Sequence, residues 1–463
     1  MVKRSPLWLA LLCLVGCAGP KPSIPEAATV LPPTSWRGAV DARPFLSVDW
    51  WNRFEDPALS AAVTRALDHN DDVATAAVRV EEARAQFRLA RGQQLPSADL
   101  IVAGGRQRDV SPFGTAELQT AGESEITIAY DLDLFGRLAS ASAATRAMLL
   151  STQAARDNVQ LAVAASTASA YVTLRALDAR LDVLQNTLKA RRESLAYAQR
   201  RVDAGYAPRL DLAQAESEYH GTEQLVPAMQ LAIARQENGL SILLGESPRE
   251  IGRATEITAI ALPPIPTLMP AELLRRRPDI AAAEQLVVAA DHSLDSARAA
   301  FMPDLRLSLS GAYVASTLLA DPIRIFSVGG SVLAPLFEGG RLRAQADIAA
   351  ARRDVAAYAY RKAALNAFRE VEDALAAVDR DAVQEQALNE QKASLVRALS
   401  LATNRYRAGY STYLEQLDAQ RALLGAELSV VQARADRLNA TVALFQAMGG
   451  GWSSMPADHS RLE

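Results

Sequence analysis

The chain has 463 residues, a net charge of −4 at pH 7 and 6% aromatic residues. Near-neutrality without a block of one sign excludes the basic surface of a nucleic-acid binder and a charged disordered tail. Few aromatics beside abundant Ala argue against an ordinary globular core and for long helices packed closely side by side.

Lys3 and Arg4 precede the apolar stretch Leu7–Gly16, which has signal-peptide length and is too short to cross a bilayer as a helix. The stretch ends in LVGC, residues 14–17, a lipobox pattern. It predicts a signal peptide over 1–16 and Cys17 as the first mature residue, carrying diacylglycerol and an N-acyl chain as its covalent lipid. Cys13 would leave with the signal, so the mature chain keeps one thiol and makes no intrachain disulfide. The alternative is an ordinary signal peptide with an incidental cysteine. A Pro-rich tether (GPKPSIP) opens the segment 17–56, which is expected to be a lipidated tether and an equatorial segment.

From residue 57 the chain follows one plan twice. The segment 66–100 lines up with 272–307, Pro96 matches Pro303, and LFGR at 134–137 is echoed by LFEGGR at 336–341. The first repeat, 57–260, is expected to hold a helix, a β-hairpin over 97–134, a long helix over 138–204 and a return helix over 209–245. ALPPIPTLMP, 261–270, has the composition of a linker. The second repeat, 271–448, is expected to hold a helix, a hairpin over 304–336, a long helix over 341–408 and a return helix over 412–448. A C-terminal tail fills 449–463.

Ile126, Ile128, Tyr130, Leu132 and Leu134 alternate with polar or small residues, as do Leu305, Leu307 and Leu309. That period-two pattern marks strands with one apolar face. Each is expected to be about 9–11 residues, the length that crosses a bilayer at a tilt; a soluble two-sided sheet is the alternative. Gly and Pro are absent from 138–204 and from 341–408. Helices of that length would run roughly 100 Å, far beyond an ordinary globular helix. Gly205 and Gly409 end them, each able to adopt positive φ and turn the chain into a returning helix.

Four membrane-length strands cannot close a barrel, and lipid does not satisfy an open edge. Two chains would supply eight strands with a filled interior; three would supply twelve, with room for a channel. A lipid-anchored coiled-coil protein without a barrel is the other reading. Chemistry is not expected. His69, His220, His292 and His459 are scattered without ligand spacing, and no hydrolase, phosphate-loop or dinucleotide fingerprint is present, so neither an enzyme nor a metal site is expected.

The lipobox, WW..F.DP.L (Trp50, Trp51, Phe54, Asp56, Pro57, Leu59), RRRPDI..AE (Arg275 to Glu284), LF.GR and RY..G...YL..LDAQ occur in order. As an ordered set they resemble the outer membrane factor family, the TolC/OprM/NodT-type exit ducts of tripartite efflux systems. The resemblance covers essentially the whole mature chain. It implies a mainly α membrane protein, with a long periplasmic α-helical barrel and an outer-membrane β-barrel shared by a homotrimer, four strands per chain. It implies localisation in the outer membrane with a long periplasmic portion, and partnership with a periplasmic adaptor and an inner-membrane pump of the resistance-nodulation-division type. A protein-secretion duct of the same fold and a structural envelope lipoprotein are the rival functions.

The tips carry the candidate functional residues. Glu415, Asp418 and Arg421 lie three apart on one helix face, as a solvated ion-paired face would require. Repeated around a symmetry axis, the carboxylates would instead crowd a pore. The resemblance implies a constriction at Leu414, Glu415 and Asp418, with Tyr406 at the place of a gate-linking tyrosine and Arg421 as a further link. Ser411 stands where one branch of the family has an arginine, so that branch's latch is not expected here. Gly205, Tyr206, Leu210, Asp211, Gly409 and Tyr410 are the expected adaptor-docking tips, although both glycines also serve as helix caps.

Overall fold

The computed structural model of the chain describes residues 20–37, 47–110, 113–265 and 268–453. The signal segment 1–16, Cys17 and residues 454–463 lie outside the described residues. Helix α1 (Pro57–His69) starts on Asp56, whose carboxylate accepts the amides of Ala58 and Leu59 at 2.8 and 3.0 Å, with Pro57 in the first turn. Then come α2 (Asp71–Gly92), β1 (Ser97–Val110), β2 (Ala116–Asp131) and α3 (Arg137–Asp203). Helices α4 (Arg209–Glu223), α5 (Leu225–Leu243), α6 (Pro270–Arg276) and α7 (Pro278–Ala299) follow. The chain continues through β3 (Asp304–Ser316), β4 (Ile323–Leu333), α8 (Arg341–Arg407) and α9 (Tyr413–Ala447).

Helices α3 and α8 are 67 residues each, about 100 Å of continuous helix at 1.5 Å per residue. The first return helix, expected as one rod over 209–245, is two helices that meet at Gln224. Pro227 explains the break: it has no amide to donate and crowds the carbonyl four residues back, on Glu223. The helix expected before each hairpin is likewise a pair. Asn70 ends α1 and caps α2, its Oδ1 accepting the amides of Asp72 and Val73 at 2.9 and 3.2 Å. Arg277 is extended ahead of Pro278, as a residue before proline must be.

The four strands form one antiparallel sheet in the order β1-β2-β3-β4. They run 14, 16, 13 and 11 residues; the first three are longer than the alternation predicts and the fourth agrees with it. The surplus on the first hairpin is polar, Arg106–Asp109 opposite Glu117–Thr120, and so breaks the pattern without ending the pairing. Register sorts the sheet into two faces, because directly paired residues point to the same side. On one face lie the rows Leu100–Ile126–Gly311–Phe326, Ala98–Ile128–Leu309–Val328 and Tyr130–Leu307–Gly330. On the other lie Asp99–Thr127–Ser310–Ser327 and Asp131–Arg306–Ser331; farther along the strands the faces mix, with Ile101–Glu125–Ala312–Ile325 on this one and Val102–Ser124–Tyr313–Arg324 on the first. Strands β1 and β4 are exposed along their whole length and are the two edges of the sheet.

The chain divides into two compact units, and each draws on both halves of the sequence. One unit takes 20–29, 78–153 and 282–362 of the described residues and holds the sheet. The other takes 30–37, 47–77, 154–265, 268–281 and 363–453. In this second unit the motifs around Trp50 and Arg277 become packing. Trp50 stacks on Phe445 with ring centroids 5.4 Å apart and meets Trp51 and Phe54 edge-on. Arg277 donates to Asp279, to the Ala447 carbonyl at 2.9 Å, and pairs with Glu370 at 2.7 Å, so RRRPDI is a structural bracket. The linker-like segment is held too: the Ala261 amide donates to the Phe54 carbonyl at 3.0 Å, Trp36 Nε1 donates to the Leu268 carbonyl at 2.5 Å, and Leu268 is buried. Among the described residues no helix is long and apolar enough to cross a membrane.

Candidate functional site

The two glycine turns lie together in the second unit, and each is built by the same backbone logic. Gly205 has φ +73° and Gly409 φ +79°. At the first turn the Gly205 amide donates to Val202 and the Tyr206 amide to Arg201; at the second, Gly409 donates to Tyr406 and Tyr410 to Arg405. This is the paired closure that satisfies the last carbonyls of a helix through a left-handed residue. A Cβ at either glycine would meet nothing within 4 Å, so the left-handed backbone, not space, calls for glycine. Tyr206, Leu210, Tyr410 and Leu414 stand at equivalent places on the two turns and are all largely exposed, at 77, 64, 80 and 49%.

Below the turns sits a small core of Ala198, Ala215, Tyr406, Tyr413 and Leu417, with Leu195 and Tyr197 packed on it. Tyr406 meets Tyr197 edge-on at 6.0 Å and Tyr413 at 5.4 Å. Arg201 ties the turns to each other. It donates to the Tyr406 carbonyl at 3.3 Å and to the Tyr206 carbonyl at 3.2 Å, and its guanidinium lies 5.0 Å from the Tyr406 ring centre. The residue 204 positions later, Arg405, instead pairs with Glu415 at 3.7 Å. The duplicated turns are therefore wired differently.

Burial dominates the titration of this core. It pushes the Tyr413 hydroxyl up to about 12, helped by Tyr406 and Glu218 nearby. It raises Tyr406 as well, with Asp211 adding to the rise and Arg201 opposing it. Asp211 is raised by its own desolvation, partly offset by Arg201. The Tyr406 hydroxyl is buried without a hydrogen-bond partner among the described residues.

The predicted gate residues separate into two groups. Tyr406 is inside the core, whereas Leu414, Glu415 and Asp418 face outward. Asp418 has no ion-pair partner within 4 Å among the described residues, and its counterpart in the first half is Gln214. Arg421 pairs with Glu218 on α4, its Nε donating at 2.8 Å, and that bond holds the guanidinium above its ordinary value. Glu218 also pairs with Arg191 on α3, which donates to its carbonyl at 2.8 Å. Glu218 thus joins α3, α4 and α9. Neither Glu218 nor Arg191 was a sequence candidate: their separations of 27 and 203 residues leave no local signal. Tyr413 and Arg201 were not sequence candidates either, although both lie in the two stretches, 201–216 and 405–420, that repeat the glycine turn.

Among the described residues no cluster of side chains could hold a metal ion. The chain matches the family described as "Outer membrane efflux protein" over residues 62–246 and 269–450. It is 35% identical over 407 residues to the solvent efflux pump outer membrane protein SrpC of Pseudomonas putida, covering 86% of this chain and 87% of that one. It is 35% identical over 424 residues to the antibiotic efflux pump outer membrane protein ArpC of Pseudomonas putida, covering 87% and 85%. A crystal structure of a membrane protein from Pseudomonas aeruginosa superposes with TM-score 0.83 at 32% identity, covering 93% of this chain and 99% of that one.

Proposed function

We propose that this chain, which belongs to the outer membrane efflux protein family, is the exit duct of a tripartite pump for small toxic molecules. The chain is an outer-membrane efflux component, and the family is one of channels, not of enzymes. Solvents and antibiotics are named for its relatives, which favours small molecules over secreted proteins as cargo. The observation that carries the duct reading is the sheet: an apolar face opposite a polar one across the rows of Ala98 to Leu100 and of Tyr130 and Asp131, and two unpaired edges. An open edge is not tolerated in lipid, so β4 of one chain pairs with β1 of the next. Three copies of four strands make a twelve-stranded barrel wide enough for a channel.

The two long helices and their return helices form the periplasmic portion. The exposed turns at Gly205, Tyr206, Leu210, Asp211, Gly409 and Tyr410 dock the adaptor, which links the duct to an inner-membrane pump of the resistance-nodulation-division type. Leu414, Glu415 and Asp418 line the resting constriction, and Asp418, without a partner cation, is the residue that makes it cation-preferring. Tyr406, Arg201 and Arg421 keep the tip assembled. Cys17 carries the lipid that anchors the mature chain, in addition to the barrel.

The test is deletion of the gene in its host, followed by susceptibility to toluene and to antibiotics. Sensitivity should rise and be restored by this chain. Unchanged sensitivity, with loss of a secreted protein instead, would favour the secretion duct.

A further inference from the structure

The N-terminal strap has an address. Lys21 bridges Asp291 and Asp295 on α7 at 2.8 and 2.7 Å. Arg353 on α8, 1% exposed, donates to the carbonyls of Pro22 and Ser23 and pairs with Asp354 at 2.8 Å. Arg298 donates to the Pro20 carbonyl at 3.1 Å. The order of these contacts gives a direction. Lys21 meets Asp291 and Asp295, and Pro20, one residue earlier in the chain, meets Arg298, so the strap runs back toward the C-terminal end of α7.

A cavity of about 650 Å³ opens at that end. Ala299, Ala300 and Met302 line it beside the two repeated Leu-Phe pairs, Leu134–Phe135 and Leu336–Phe337. Those four side chains are exposed by 67, 43, 88 and 91%, a concentration of apolar surface at the base of the sheet. The cations on the lining are spoken for: Arg137 pairs with Asp304 at 3.2 Å and Arg341 with Glu338 at 2.8 Å. The volume is in the range that holds a small apolar ligand.

We propose that this cavity receives one of the fatty acyl chains borne by Cys17, and that Arg353, Lys21 and Arg298 are positioning residues that aim it there. Cys17 lies three residues before Pro20, a reach of about 10 Å at full extension. The strap therefore runs toward the end of α7 where the cavity opens, and the two arginines on the lining are already paired with Asp304 and Glu338. The proposal rests on acylation of Cys17. It makes the lipid part of the fold at the foot of the sheet, in addition to an anchor in the bilayer.

The experiment uses the full chain in its native membrane, with a photoreactive benzoylphenylalanine at Phe337 or, as a control, at Phe113 in the first hairpin turn. After irradiation, mass spectrometry reads the mature N-terminus and the adducts. The expected result is an acylated Cys17 whose acyl chain is joined to residue 337 at least tenfold more than to residue 113. Lys21→Gln, at a partly exposed site that does not threaten folding, should lower the residue-337 yield severalfold. An unacylated terminus overturns the lipid reading and the proposal with it. An acylated terminus with residue-337 adducts only to phospholipid, or to a neighbouring subunit, overturns the cavity assignment and leaves the lipid reading standing.

Discussion

Glu218→Gln removes the charge that Arg191 and Arg421 share, and the structure assigns unequal consequences to the two arginines. The Arg191 side chain is 7% exposed and that of Glu218 12%, so the variant leaves a guanidinium buried without a counter-charge. Breaking one side of a buried pair costs about 3–5 kcal/mol. The Arg421 side chain is 55% exposed, and its pair is worth less than about 1 kcal/mol. Glu218→Gln should therefore destabilise the second unit by about 3–5 kcal/mol, and Arg421→Ala by under about 1 kcal/mol. Denaturant titration of the detergent-solubilised protein, followed by limited trypsinolysis at the α3–α4 tip, measures both. Equal losses for the two variants would refute the burial argument. A loss confined to Arg421→Ala would show that α9, not α3, depends on this carboxylate.

At Gly409 any L residue meets the same left-handed backbone, at a cost of about 1–2 kcal/mol, and has open space around its Cβ. Gly409→Ala and Gly409→Trp should then form equally stable trimers while only the tryptophan abolishes drug resistance; loss of trimers on a gel with either would move the role from docking to folding. Asp418→Ala should raise the resting single-channel conductance severalfold and weaken cation preference in a planar bilayer, and an unchanged channel would remove Asp418 from the constriction. Tyr171 and Tyr413 both ionise near 12 in the folded chain, chiefly through desolvation, against about 10 when unfolded. Their protons are held tighter in the fold, so this stability is complete below pH 10 and is lost as pH rises toward 12. Thermal melting should fall across that window, and Tyr413→Phe should flatten part of the fall; a flat profile in the parent protein would contradict it.

Patterns of short period were legible in the sequence. Alternation from Ile126 to Tyr130 marked a strand and its apolar face, although Leu132 and Leu134, read with it, lie beyond the strand's end at Asp131, and the absence of Gly and Pro from 138–204 and 341–408 marked the long helices. Gly205 and Gly409 announced their turns because positive φ at a helix end has few other solutions. The break at Gln224 was also written in the sequence, in Pro227, but helical composition on both sides masked it. What lay beyond reading was pairing across long separations. Glu218 gives no sign of Arg421, 203 residues away, nor Lys21 of Asp291, 270 away. The interleaving of the halves in both units has the same cause, since each long helix belongs to both.

The duct reading depends on β4 of one chain joining β1 of another, and an engineered disulfide tests that contact directly. A cysteine at Val102 on β1 is combined with single cysteines scanned from Ile325 to Ser331 on β4, and mature chains are oxidised in the outer membrane. The account predicts a covalently closed trimer at alternating positions along β4, where side chains share a face with Val102. Monomers at every position, or crosslinks formed within one chain, would contradict it.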